Sequence, residues 1–399
     1  MTFDVITVGG GLAGSSLATA LARDGYKVLV LEQETQFKDR VRGENMLPWG
    51  VAAARRLGTI DFLLHAGAHE TRYWITYMSG NPVARRDLHQ TTSHGEVSLN
   101  IYHPRMQEAL LGRASDTGAE VKRGAKVVGV VTATDRMPTV TFDHNGERQT
   151  VSARVVVGAD GRTSQVRTWG GFKVQRNPER LMTAGLLIEG TDVPDEGVHL
   201  SFGRGCPTLL APLGERRART YYIYPGASAR RGLSGKNKAD EFIQLCIDAG
   251  ASESWFAGAE AAGTLAEFEG ADRWVESPVN NGVALIGDAA ASSDPAWGCG
   301  LSLTLLDVEH LANALRENSD WKVALDRYAK EHDEYYSALH RILGWMTDLT
   351  WTPGPEADER RQRVFPRMIS DPRGFPDNIG LGPFGPSDEQ ARKLTLGLA

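Results

Sequence analysis

Residues 4–32 constrain this chain more than any other stretch. Asp4-Val5-Ile6-Thr7-Val8 is largely apolar and β-branched, the composition of a buried strand. It breaks into Gly9-Gly10-Gly11-Leu12-Ala13-Gly14, a G-x-G-x-x-G turn. Small and apolar residues then run to Ala22, and Val28-Leu29-Val30-Leu31 ends in Glu32. In such a turn Gly9 permits the tight bend, Gly11 lets a pyrophosphate approach the backbone, and Gly14 lets helix and strand pack closely. The helix that starts at Leu12 and Ala13 offers unpaired N–H groups to an anion. Glu32 follows Gly14 by eighteen residues, near the spacing at which an acid holds a ribose hydroxyl. The pattern predicts a βαβ unit that binds a dinucleotide.

At 399 residues the chain is long enough for two or three domains. A net charge of −6, with scattered basic residues, argues against a nucleic-acid partner. Cys206, Cys246 and Cys299 lack metal-like spacing, so no metal is expected, and they suit a reducing compartment. The first strand begins too early for a signal peptide, and no apolar run reaches ~18 residues. The expected location is cytoplasmic, without a membrane span.

Beyond the βαβ start, helical patterns cover residues 49–57 and 106–115. Residues 120–157 alternate apolar and polar, with turn signals at Asp135-Arg136-Met137-Pro138 and Asn145-Gly146. They predict a small antiparallel meander that returns to the main sheet. Longer strands are expected at 181–189, 198–202, 208–211 and 219–224, a helix at 239–249, and a buried strand at 283–286. Residues 300–316 and 321–349 read as helices. The tail from Trp351 is rich in Pro and Gly and is expected to wrap the surface.

Two more motifs follow buried strands. One is Gly158-Ala159-Asp160-Gly161-Arg162-Thr163-Ser164; the other is Gly287-Asp288-Ala289-Ala290, followed by Asp294-Pro295-Ala296-Trp297-Gly298-Cys299-Gly300-Leu301-Ser302. With the first glycines, in this order, they resemble the fingerprints of the para-hydroxybenzoate hydroxylase-like flavoprotein aromatic hydroxylases. These are the group A FAD-dependent monooxygenases, and the resemblance spans roughly residues 3–316. It implies a mixed α/β fold: a Rossmann-like FAD-binding domain with an inserted antiparallel-sheet substrate domain and C-terminal helices. The expected division is 1–70, 96–178 and 278–320 for FAD, 71–95 and 179–277 for the substrate sheet, and 321–399 for C-terminal helices and tail.

The resemblance also implies roles. Gly9, Gly11, Leu12, Ala13 and Gly14 surround the FAD pyrophosphate, and Glu32 binds the adenosine ribose. Arg42 and Arg105 contact FAD. Asp160 and Gly161 belong to a motif linked to FAD and NAD(P)H, although Asp-Gly also favours its own turn. Gly287 and Asp288 hold the ribityl or pyrophosphate region. Pro295, Gly298 and Gly300 place the reactive ring, with Leu301 and Ser302 in the first turn of a helix whose N–H groups stabilise reduced flavin. Ala291, Cys299 and Ser302 depart from residues common in the family. Phe202, Tyr222 and Tyr224 either line an aromatic substrate pocket or serve ordinary sheet packing.

The implied activity is hydroxylation of an aromatic or other electron-rich small molecule. NADH or NADPH serves as a transient donor, and O2 enters through a flavin C4a-hydroperoxide. Three rivals remain. Arg42-Gly43-Glu44 with Pro48 also resembles the early loop of flavin halogenases, but W-x-W-x-I-P is absent and residues 39–121 contain no lysine. A flavin reductase of isoprenoid double bonds, geranylgeranyl reductase-like, shares the architecture. So do non-catalytic GDP-dissociation inhibitors, which predict no stable flavin. A second G-x-G-x-x-G at 380–385 follows no buried strand and contains Pro383, so it reads as a loop.

Overall fold

The computed structural model describes residues 2–132, 134, 136–178, 180–203, 206–226, 232–371 and 374–398. Its first sheet is built on Thr2–Val8, which pairs in parallel with Val28–Glu32 on one side and Glu147–Gly158 on the other. Val283–Leu285 and Glu120–Arg123 extend the parallel set outward. Val5, Ile6, Leu29, Val30, Val155 and Val156 are buried, as in strands covered on both faces. Helix Leu12–Arg23 packs on this sheet with its first ten residues buried. The expected antiparallel meander is present from Lys126 onward, but residues 120–123, expected to belong to it, join the main sheet in parallel instead. Thr139–His144 and the first half of Glu147–Gly158 form a hairpin through Asn145 and Gly146, both at positive φ (53° and 83°). Asp135, in the other turn signal, lies outside the described residues.

The second sheet joins Leu181–Glu189, Arg217–Pro225, Thr208–Gly214 and Gly197–Phe202 to Tyr73–Met78 and Asn81–Asp87. Its side chains alternate between two faces. Cross-strand register aligns Thr76, Leu200, Leu209 and Tyr221 on one face. The other face carries Ala184, Leu210, Tyr222 and Tyr224, buried with Phe242, Cys246 and Trp255 in a separate core. Tyr222 and Tyr224 are therefore core residues, and the expectation that they line a substrate pocket is corrected. Helix Ala239–Asp248 covers their face of the sheet, and the opposite face looks toward the first sheet.

Helices Gly300–Glu317 and Trp321–Trp351 follow as expected, but the tail does not wrap the surface as loop. It forms helices Pro355–Ser370, Asp377–Leu381 and Glu389–Thr395. Pro355 stands in the first turn, where its missing N–H costs nothing, and Glu356 and Asp358 suit the helix N-terminus. What reads as a breaker in the sequence is a start signal. The indole N–H of Trp49 donates to Ile379 O (3.1 Å), and Arg86 donates to the fully buried carboxylate of Asp377 (2.9 Å). The second G-x-G-x-x-G ends a helix here. A Cβ at Gly382 would stand 2.5 Å from the Trp49 indole, so that glycine lets the tail close on the body of the protein.

Candidate functional site

A continuous cavity of about 810 Å3 runs between the two sheets, from the glycine turn to the C-terminal helices. At its first end Gly9, Gly11, Leu12 and Ala13 line the wall. The approach is tight: a Cβ at Gly9 would lie 2.4 Å from Ala159 O, and one at Gly14 would lie 2.0 Å from Gly9 O. Gly14 is packed behind the turn rather than exposed to the cavity. No side chain caps helix Leu12–Arg23, so its first N–H groups remain available to a ligand. Glu32 reaches the same wall and accepts from Gly10 N and Glu34 N, both at 2.7 Å. Each carboxylate oxygen keeps a further lone pair for a hydroxyl donor.

Arg42 and Asp288, far apart in sequence, face each other at 4.0 Å across the cavity. Burial holds the Asp288 carboxyl above the usual carboxylate range, against the pull of Arg42, Arg162 and Arg167. Gly287 donates its N–H to Asp307 (2.6 Å), a fully buried carboxylate that also accepts from Tyr335 Oη. Asp160 lines the cavity and also orders its own turn, accepting from Gln165 N and Val166 N. Gly161 beside it has φ 76°.

Pro295–Trp297 makes a single 3-10 turn that ends at Gly298, in the left-handed region at φ 67°. Helix Gly300–Glu317 starts immediately after, without a side-chain cap. Pro295, Gly298, Gly300 and Leu301 all line the cavity. Ser302 does not. Its Oγ accepts from Leu47 N (2.9 Å), and its backbone packs where a Cβ at Gly50 would be. A helix turns 100° per residue, so Ser302 points behind the face that Leu301 shows. The Ser302 side chain therefore serves helix packing, and the expected contribution of this residue is the backbone N–H of an uncapped first turn.

The expectation that Arg105 contacts FAD is corrected. It is exposed and lies over Gly67, while His103 and Gln107, one turn apart on helix His103–Asp116, face the cavity. His103 Nδ1 and Gln107 Oε1 are 3.0 Å apart. Burial, with Arg42 nearby, pushes the His103 imidazole down to about 4. It is neutral at pH 7. Phe202 does line the cavity, and Tyr221, not Tyr222, shares that face of the second sheet.

The sequence reading missed a buried charge cluster that holds the Arg42 loop. Arg219, fully buried in the second sheet, donates Nε to Glu44 (2.9 Å) and Nη2 to Asp39 (3.0 Å). Glu44 also accepts from His103 N, and Tyr221 Oη donates to Arg42 O (2.7 Å). Burial raises the Glu44 carboxyl, opposed by Arg219. Between these clamps Val41 adopts φ 48°, a strained conformation for a β-branched residue. One signal was present in the sequence. An arginine in a strand of Tyr, Ile and Ala requires a buried partner.

The chain is 26% identical over 333 residues to digeranylgeranylglycerophospholipid reductase 2 of Methanococcoides burtonii, covering 78% of this chain and 74% of that protein. It is 29% identical over 375 residues to rifampicin monooxygenase of Streptomyces venezuelae, covering 90% and 74%. The p-nitrophenol 4-monooxygenase of Pseudomonas putida DLL-E4 superimposes with a TM-score of 0.79 at 19% identity, over 96% of this chain and 99% of that one. The fold is therefore that of the flavin monooxygenases. Residues 2–341 match the FAD binding domain family, and the chain belongs to it.

Proposed function

We propose that this protein is an FAD-dependent, NAD(P)H-using monooxygenase that places one oxygen atom on an aromatic or other electron-rich small molecule. The observation that carries the reading is that one cavity joins two uncapped helix N-termini, at Leu12 and Gly300, to an aromatic far end. The donor set fits FAD. A glycine cradle that Cβ atoms would fill meets a pyrophosphate, and Glu32 meets a ribose.

Bound FAD supplies the redox and oxygen-activating chemistry. The chain's own residues orient and insulate it. Gly9, Gly11, Leu12 and Ala13 hold the pyrophosphate, with Gly14 keeping the helix close to the strand. Arg42, Asp160, Gly161, Gly287 and Asp288 flank the middle of the cofactor. Pro295, Gly298 and Gly300 bring backbone close to the ring, and the helix dipole at Gly300–Leu301 favours negative charge there. The C-terminal helices exclude water from the far end. No lining side chain is assigned as a substrate base. NADH or NADPH visits as electron donor, and the protein works in the cytoplasm; among the described residues no helix is long and apolar enough to cross a membrane.

The test is NAD(P)H oxidation by the yellow holoprotein against phenols, anilines and heteroaromatics. Substrate-stimulated oxidation matched by oxygenated product is expected. Hydrogen peroxide as the sole product with every compound would sink the reading. A second reading, reduction of isoprenoid double bonds, is favoured by the similarity to the archaeal lipid reductase. Turnover of a polyprenyl substrate without oxygen would select it.

A further inference from the structure

The far end of the cavity is built by parts of the chain that the glycine motifs do not reach. Its floor is one face of the second sheet. Trp74, Thr76 and Met78 alternate along one strand and extend about 13 Å at ~3.3 Å per residue. Leu200 and Phe202 lie beside them in register, and Leu209 follows on the next strand. The roof comes from Trp351, Phe365, Met368 and Phe375. These residues lie after residue 341, where the match to the FAD binding domain family stops.

The chemistry of this chamber is selective. Of the described lining residues that the second sheet and the C-terminal segment contribute, Glu267 alone is charged. Its carboxylate is already engaged, accepting from Tyr224 Oη and from Leu233 N. No lysine or arginine among those residues stands ready for a carboxylate. An ionised group placed there loses water and meets only neutral donors, such as the unpartnered Trp74 Nε1 and Thr183 Oγ1, with no cation to balance its charge. The walls are rings set at angles. Phe375 meets Trp74 edge-on at 5.7 Å and Trp297 at 6.3 Å between centroids. Such walls favour flat aromatic partners, which contact them in offset or edge geometry.

We propose that the substrate is a neutral aromatic compound of more than one ring, lacking a carboxylate. It sits between Phe202 on the sheet and Phe375 on the roof, and the segment after residue 341 sets this specificity. The inference rests on the monooxygenase reading for what happens to the bound compound, but binding is measurable without turnover.

The experiment titrates FAD-loaded protein, without nicotinamide, and follows the perturbed flavin spectrum. The probes are 2-naphthol, 3-hydroxy-2-naphthoate, phenol and 4-hydroxybenzoate. 2-Naphthol is expected to bind at least about tenfold more tightly than each of the other three. Phe375→Ala, or the milder Phe365→Leu if the first variant folds poorly, is expected to weaken 2-naphthol about fivefold or more with FAD content unchanged. Carboxylates binding as tightly as 2-naphthol, no binding of 2-naphthol, or unaltered binding in both variants overturns the proposal. Selective binding without any oxygenated product on adding NAD(P)H overturns the monooxygenase reading alone.

Discussion

Gly14 and Gly11 sit three residues apart in one motif, yet the structure separates their duties. A Cβ at Gly14 meets the backbone oxygen of Gly9 at 2.0 Å, where nothing can yield. Gly14→Ala is expected to destabilise the protein by about 3 kcal/mol in urea unfolding. A Cβ at Gly11 meets only the end of the Gln107 side chain at 3.2 Å. Gly11→Ala is expected to fold normally and to lose FAD affinity, measured by flavin fluorescence. Titration gives a second test at this scale. His103 is pushed down to about 4, so between pH 6.5 and 4 the unfolded chain takes up a proton that the folded chain refuses. Stability therefore falls as the pH is lowered across that window. Asp294, pushed up mainly by burial to about 6, has the opposite slope, because the folded state binds its proton first between pH 6 and 3.8. In Tm measured against pH, His103→Gln is expected to flatten the acid decline and Asp294→Asn to steepen it.

Strands were readable as elements, but their facing was not. The period of two in residues 219–224 predicts that Tyr221 opposes Tyr222 and Tyr224. It is silent on which side meets a ligand, because that depends on what covers each face. Helix Ala239–Asp248 covers the Tyr222 side, and the Arg42 loop meets the Tyr221 side. Tyr222→Ala is expected to cost about 3–5 kcal/mol of stability in urea unfolding with FAD affinity unchanged. The same limit explains Arg105. A motif places a residue on a helix, and only the packed helix shows whether it looks into the cavity or away.

Across the whole molecule, the cavity closes through contacts that span most of the chain. Trp49 meets Ile379 over a separation of 330 residues, and Arg86 meets Asp377 over 291. Asp377 is fully buried, so Asp377→Ala leaves Arg86 without its carboxylate partner and loosens the roof. A stability loss of up to about 3 kcal/mol is expected. Under the proposed function, the fraction of NAD(P)H oxidation that ends as hydrogen peroxide should rise in the same variant. A peroxide assay beside product analysis checks it.

By itself the sequence determined the βαβ start, the meander and the glycine motifs. Each is encoded by propensity, periodicity and turn chemistry within a few tens of residues. It also carried the resemblance from which a flavin fold was expected. The tertiary structure alone decided that Arg42 faces Asp288, that Glu44 and Arg219 close a buried cluster over 175 residues, and that the Pro- and Gly-rich tail becomes the roof of the cavity. Those outcomes depend on long-range pairing and on which faces are left uncovered, and no local pattern in the chain encodes either.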